Sequence, residues 1–511
     1  MKKIFILTAA AILAAACNLD LTPITSYNEA NVKLNEEEEG ESASQYTTRE
    51  DMAGLRNSIY DSWIKDIQEM GLEDWLVYSE TRADNAYCGT ATPEIMALEA
   101  NKQDGSNKNI TRDWNWYQQQ VSNANQIICN IDRIAEADPT LSTAERDQWK
   151  AEAMIWRAFC FFRLTLLWGD APMVLSIPPA LTAANVEEVY PLYFPDRVPL
   201  EQVYTKLVED LTWAADYAPD VDPSNKTLMS KALAKGLLAR VYAENTPFRD
   251  WTKVAQYCTE VEGMGFSLEP NYADLWGYEP GEAGDAKRNS VESIFEVQWV
   301  NKSQGNWVFM MYHRNAYNPD DSYTWAKWTT PSRDLIQAYQ DEGDEIRMNA
   351  SIIWDSCGWS NYYDSDNYAF MHKMPTNVSS ILVMRLAEIY LLHAEALACN
   401  GDLDGAKNYV NKVRQRVNLP DIPTPASQDA AIDAILKERR LELAFEGFRF
   451  FDLVRHSTPE NDRVKKVHDS MNTSGDKFWQ TRIPMDPTHY LLPVPTEALN
   501  NNPNLQPNPG Y

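Results

Sequence analysis

Apolar residues recur at a helical period through most of this 511-residue chain. From Arg49 to Glu69, the residues Met52, Leu55, Ile59, Trp63 and Ile67 fall near a 3.6-residue spacing. Trp114, Tyr117, Val121, Ala124, Ile128, Ile131 and Ile134 repeat the pattern. Ser142-Thr143-Ala144-Glu145 has the order of a capping box. It opens a predicted helix through Trp149, Ala153, Trp156, Phe159 and Leu167, which Gly169-Asp170-Ala171-Pro172 stops. Further helices are predicted over 200–217, 230–244, 251–263, 331–339, 381–399, 403–417 and 429–453. A chain built this way must bury many apolar stripes against one another, so helix-on-helix packing is its natural solution.

Two stretches break the pattern. Residues 264–330 carry Gly, Pro, Asn and Asp breakers, many aromatics and one strand-like run, Ser293 to Val297. Loops of that length are uncommon unless functional. The tail from Gly475 to Tyr511 is rich in Pro and Asn and reads as irregular. Between them, Glu395 to Ala406 joins a small-residue helix, a Gly turn and a new helix, and resembles a tetratricopeptide junction. Repeated helix pairs stack into a scaffold whose insertions gather on one face. The expected fold is therefore mostly all-α: a tetratricopeptide-like helix-pair superhelix with a loop-rich, irregular region packed on it.

Met1 to Cys17 pairs two lysines with a short apolar run and ends in Ala14-Ala15-Ala16-Cys17. The run is too short to span a membrane and reads as a signal peptide. Small residues before a cysteine resemble a bacterial lipobox, which would acylate Cys17 and anchor the chain without spanning the bilayer. The plainer alternative is cleavage at Ala-x-Ala with Cys17 incidental. Residues 17–45, with Glu36 to Glu39, then read as a solvated tether.

Charge excludes some functions. With 46 Lys and Arg against 74 Asp and Glu, the net charge of −28 disfavours nucleic acid and anionic membrane surfaces. Six cysteines remain after Cys17, with no CxxC, so no disulfide framework or zinc site is expected. Cys129, Cys160 and Cys399 lie in apolar helical patterns and read as buried small hydrophobes. Asn400-x-Asp402-x-Asp404-Gly405 has the start of a calcium loop, but its twelfth position is Asn411 rather than Glu. No metal, cofactor or catalytic residue is assigned: GxSxG, HExxH and P-loop motifs are all missing. Glu438 to Leu453 reads as scaffold, with i,i+4 ion pairs among Arg439, Arg440, Glu442 and Glu446.

Aromatics are the strongest functional lead, because 17 Trp, 25 Tyr and 15 Phe exceed what a core should absorb. Trp276, Trp307, Tyr312, Tyr317, Trp325 and Trp328 cluster in the irregular stretch, interleaved with Arg314 and several Asn and Asp. Sugar rings stack their C–H faces on such planes while in-plane polar groups meet the hydroxyls. A second cluster holds Trp75, Asp84, Asn85 and Tyr87. For any one residue, packing competes with ligand contact.

Several motifs in order resemble the SusD/RagB family of outer-membrane nutrient-binding lipoproteins. They are Cys17-Asn18-Leu19-Asp20-Leu21-Thr22-Pro23, Glu152 to Phe159 leading to Leu167-Trp168-Gly169-Asp170-Ala171-Pro172, Met384 to Ala396, Glu438 to Leu453, and Leu491 to Pro495 with Asn502 to Tyr511. The resemblance implies a surface-exposed lipoprotein of the outer membrane, partnered with a SusC-like TonB-dependent transporter, binding a glycan or in some members a peptide, and not an enzyme. It implies a division into a signal peptide (1–16), tether (17–45), N-terminal helical region (46–263), aromatic ligand face (264–330) and C-terminal region (331–511). The loop after the first helix would add to the ligand face. Rival readings are a lipid-anchored glycoside hydrolase, which would need two carboxylates across a cleft, and a scaffold with no ligand of its own.

Overall fold

The computed structural model describes residues 46–89, 92–276, 288–299, 305–313, 327–357, 361–376, 378–480 and 482–511. Helix α1 (Arg49–Lys65) opens with a capping box, in which Thr48 accepts from the Asp51 N–H and Asp51 caps Thr48 in return. It runs on into two π-helical turns, Ile67–Glu73 and Val77–Thr81, separated by one short helical turn. Then come α2 (Lys108–Ala137) and α3 (Thr143–Trp168). The predicted Ser142–Glu145 capping box is present, and Gly169 ends α3 with φ +74°.

The scaffold continues with α4 (Leu200–Tyr217), α5 (Lys231–Ala243) and α6 (Trp251–Glu262). After the irregular region and α7 (Arg333–Glu342) come α8 (Leu386–Cys399), α9 (Leu403–Arg416) and α10 (Gln428–Glu442). Each helix from α2 to α5 packs on its successor, α6 packs on α8, and α8 on α9 and α10. This is the stacked, mostly helical architecture the periodicity predicts. Aromatics fill its heart: Trp63 packs on Trp156 and Phe159 with ring centroids 4.6 and 4.7 Å apart.

Strands are short. β1 (Ser293–Val297) pairs antiparallel with a strand at 381–385, and β2 (Ile352–Asp355) with β3 (Tyr368–Met371). The 381–385 strand is β4 (Ile381–Arg385), so the helix predicted over 381–399 begins only at Leu386. The β-prone Ile381-Leu382-Val383 run finds the edge of β1 and takes the extended form.

The helix predicted over 429–453 is likewise two. α10 stops at Glu442, Phe445 (φ +62°) and Gly447 (φ +86°) turn the chain, and α11 (Arg449–Arg455) follows. A Cβ at Gly447 would stand 2.2 Å from Trp75 Cδ1, so only glycine lets the turn close on that ring. The expected i,i+4 pairing inside this block is replaced by long-range pairing. Arg385 bonds Glu292, Glu442 and Glu446 at 2.6–2.8 Å, Arg347 bonds Glu438 at 2.7 Å, and Arg416 also reaches Glu442. Three guanidiniums around Glu442 hold its buried carboxyl well below the usual range.

α12 (Arg463–Thr473) leads into the tail, where a 3-10 turn, Pro487–His489, and a short α-helix, Thr496–Asn501, lie within the stretch read as irregular. The tail returns to the end of α3. Leu492 N–H donates to the Leu167 carbonyl at 2.7 Å and the Trp168 indole N–H to the Pro493 carbonyl at 3.0 Å. Cys160 is buried as expected, Cys399 is half-buried, but Cys129 is exposed, because its position faces away from the stack. No helix among the described residues is long and apolar enough to cross a membrane. Cys17 and the tether lie outside the described residues.

Candidate ligand-binding site

Trp354, next to the end of β2, is 41% exposed, unusually open for so large a side chain. It borders a cleft of about 370 Å³ with Arg333, Asn361, Tyr362, Tyr363 and Phe478 among its walls. Asp364, Asn367 and Lys477 complete it. That is within the size range of sites for small ligands.

The aromatic floor is fixed from below. Tyr362 stacks on Tyr87 at 4.6 Å and 5°, and Phe478 leans on both rings. Tyr363 meets the Trp354 ring edge-on at 5.5 Å and donates its hydroxyl to the Pro331 carbonyl at 2.7 Å. Burial raises the hydroxyl pKa of Tyr87, Tyr362 and Tyr363, so all three stay neutral donors. Tyr87 is itself hydrogen-bonded to Asp476.

Polar groups ring this floor. Arg333 begins α7, its guanidinium 4.5 Å from the Tyr363 ring centre and 3.8 Å from Asp476. Lys477 stands 4.9 Å from the Phe478 ring. Asn361 is oriented by Tyr368, whose hydroxyl donates to its Oδ1 at 2.9 Å. The cleft therefore offers aromatic faces, amide groups, a carboxylate and two cations. It can stack a ring and hydrogen-bond its substituents.

The residues expected from sequence divide into groups. Tyr87 supports the cleft from beneath. Trp307 and Trp328 are half-buried beside the aromatic core, the first donating its backbone N–H to Gln68. Arg314, Tyr317 and Trp325 lie outside the described residues. The flanks of their segment meet the hairpin: His313 pairs with Asp355 at 3.0 Å, and Lys327 lies 4.9 Å from the Tyr368 ring.

Trp75, Asp84, Asn85, Trp276 and Tyr312, expected at the ligand face, are buried away from the hairpin cleft, and the Tyr87 ring beneath it is buried too. Asp84 forms a two-pronged pair with Arg449 at 2.8 and 2.9 Å, which with Arg440 drives its pKa down. Asn85 bridges Glu80 and Arg440. Trp75 stacks on Phe451 at 4.5 Å, and Trp276 packs under Lys373. Their partners arrive from the C-terminal region, which local sequence does not reveal. Trp354, Tyr362, Tyr363 and Arg333 were not anticipated; the signal was an aromatic run beside Asp364, Asp366 and Asn367, read only as an incomplete acidic loop.

The two carboxylates nearest to a motif are both structural. Glu395 receives Arg455 and His456, whereas His393, two positions earlier, faces Glu262. Asp402 caps α9 through the Gly405 N–H. Among the described residues no cluster of three or more metal-ligating side chains occurs.

Comparison with known proteins agrees with this architecture. Residues 28–243 match the family model described as "Starch-binding associating with outer membrane", and residues 372–511 match the SusD family model. A SusD-like protein of Bacteroides ovatus is 24% identical, covering 89% of this chain and 82% of its own. The starch-binding protein SusD of Bacteroides thetaiotaomicron is 21% identical over 73% of this chain and 74% of its own. Among solved structures, a SusD superfamily protein of Bacteroides vulgatus superposes with TM-score 0.71 at 18% identity, covering 91% of this chain and all of that one. A laminarin-binding SusD-like protein gives 0.68 at 22%, again covering 91% and 100%. The stacked helix pairs, the order of the motifs and both family matches agree: this chain belongs to the SusD/RagB family.

Proposed function

We propose that this protein captures an oligomeric glycan at the hairpin cleft and delivers it to a SusC-like TonB-dependent transporter, held at the outer face of the outer membrane by a lipid on Cys17. The observation that carries the reading is the exposed Trp354 beside a stacked tyrosine floor and a polar rim. Sugar rings stack on such planes, and desolvated aromatic anchors dominate binding energy at sites of this kind. The printed names of relatives, one starch-binding and one laminarin-binding, support a carbohydrate ligand. Arg314, Tyr317, Trp325, Trp307 and Trp328 are assigned to the same ligand on sequence grounds. The role is binding and transfer, with no reaction of its own.

The test is affinity electrophoresis of the mature chain against a polysaccharide panel, alongside Trp354→Ala and Trp325→Ala. Retardation by one glycan class that is lost in folded Trp354→Ala supports the reading. Retardation unchanged in Trp354→Ala would place the glycan elsewhere. Binding only to peptide mixtures would replace glycan with peptide.

A further inference from the structure

A partly open pocket of about 80 Å³ lies at the seam where α1, its π-helical continuation and α3 meet β4 and the α10–α11 turn. By the space one water needs, it has room for roughly five or six waters or one small organic molecule. Its walls are largely apolar, with Phe159, Phe162 and Phe451 among them. It is separate from the hairpin cleft and shares no residue with it.

Five cationic and four acidic side chains line it, and two of the cations, Arg439 and Arg455, also pair with Glu395 behind the wall. Each acid has a cation: Glu388 with Arg240 at 2.5 Å, Glu446 with Lys373 at 2.7 Å, Asp452 with Arg439 at 2.7 Å and Glu244 with Arg455 at 3.5 Å. Arg163 is left over, with no ion pair among the described residues. Its guanidinium sits 4.0 Å from the Trp75 ring centre and 4.5 Å from Phe159. Both of its protein hydrogen bonds, to the Gly71 carbonyl at 2.6 Å and the Tyr117 hydroxyl at 3.5 Å, use Nη1. Nε and Nη2 remain for a ligand.

Other donors on the same wall also want acceptors. Trp63 Nε1, Trp276 Nε1 and Arg439 Nη1 are buried without a hydrogen-bond partner, and their residues are 2%, 8% and 2% exposed. Each buried unsatisfied donor is costly. Arg163 itself is half-buried. Arg163, the lining cation with no carboxylate partner among the described residues, suits a ligand with one negative charge. The planar guanidinium fork suits a carboxylate, and the aromatic walls suit hydrocarbon.

We propose that this seam cavity is a second binding site, for a small apolar monocarboxylate whose carboxylate is gripped by Arg163 and whose hydrocarbon lies against the aromatic walls. Benzoate is a suitable probe, with benzyl alcohol as its uncharged counterpart and chloride as the bare anion. Calorimetry on the mature chain should give saturable one-to-one benzoate binding, at least about tenfold tighter than benzyl alcohol. Arg163→Gln should remove that preference and leave retardation by glycan unchanged. Should Arg163→Gln fail to fold, Leu166→Trp keeps the arginine, fills the cavity and should abolish benzoate binding. No saturable benzoate binding, benzoate no tighter than chloride, or binding intact in a folded Arg163→Gln or Leu166→Trp would each overturn the proposal.

Discussion

Tyr362 lies face to face on Tyr87, with ring centroids 4.6 Å apart and planes within 5°. A ring from the β2–β3 connection is thereby seated on one anchored between the first helices and α7, more than 270 residues away in sequence. The upper tyrosine cannot tilt without unstacking the lower, so the cleft floor is preorganised, and a ligand meets a surface whose ordering entropy has already been lost in folding.

Trp354→Ala should separate binding from stability. The side chain is 41% exposed, so its loss leaves no large cavity and should shift unfolding by about 0.5 kcal/mol or less. Glycan affinity should fall by roughly tenfold. Paired calorimetry and thermal melts check both halves.

Tyr87→Ala should do the reverse in part. Its ring is fully buried against Tyr362, Phe478 and Trp479, so truncation should cost about 3–5 kcal/mol of stability and loosen the cleft as well. A lower denaturation midpoint together with weaker glycan retardation is the expected pair of results.

Glu442→Gln should be among the most damaging single changes. It withdraws the charge shared by Arg347, Arg385 and Arg416 while leaving those cations buried. Breaking one side of such a pair costs about 3–5 kcal/mol. Chemical denaturation of the variant against the parent reads the difference.

Glu244 sets a pH dependence. Burial raises its pKa to about 7, against the opposing pull of Arg455 and Arg249, with Asp452 and Glu395 nearby adding to the rise. The folded state therefore holds a proton that the unfolded chain releases near pH 4.5. Stability from this group is complete below about pH 4.5 and is lost as pH climbs to 7, by roughly 3 kcal/mol at 1.4 kcal/mol per unit. Half-buried His372 and buried His468 are lowered to about 4 by desolvation and act with the opposite sign. Subtracting the Glu244→Gln stability curve from the parent curve between pH 5 and 8 isolates the carboxyl; a flat difference would contradict its protonated burial.

Gly447→Ala should destabilise by roughly 2–4 kcal/mol. A methyl there meets Trp75 Cδ1 at 2.2 Å, and the backbone has φ +86°. The Trp75 fluorescence environment should change with it.

The helices were legible because amphipathic period, capping boxes and stop signals are local: Ser142 with Glu145 and Gly169 mark both ends of α3 from sequence alone. What was not legible depended on partners far along the chain. Asp84 looks like a polar loop residue until Arg440 and Arg449 arrive some 360 positions later. Ile381 to Arg385 continues an apolar run into α8, and only the edge of β1 makes it a strand. Trp354 lies near the end of the short strand β2 and Tyr362 in the connection that follows, whose floor comes from Tyr87, so no local pattern marks them as a surface. Most tryptophans among the described residues are buried, as Trp63, Trp75 and Trp276 are.

The junction between the tail and α3 fixes the order in which the molecule can be completed. Trp168 is fully buried, and its indole N–H is answered by the Pro493 carbonyl, 325 residues downstream. A growing chain must therefore carry an open end of α3 until residues near 493 emerge, and closing so long a loop comes late. A product cut short before residue 490 would keep that end uncapped, exposing apolar surface to proteases. The Trp168–Pro493 contact thus ties the last steps of folding to a segment that such a product lacks.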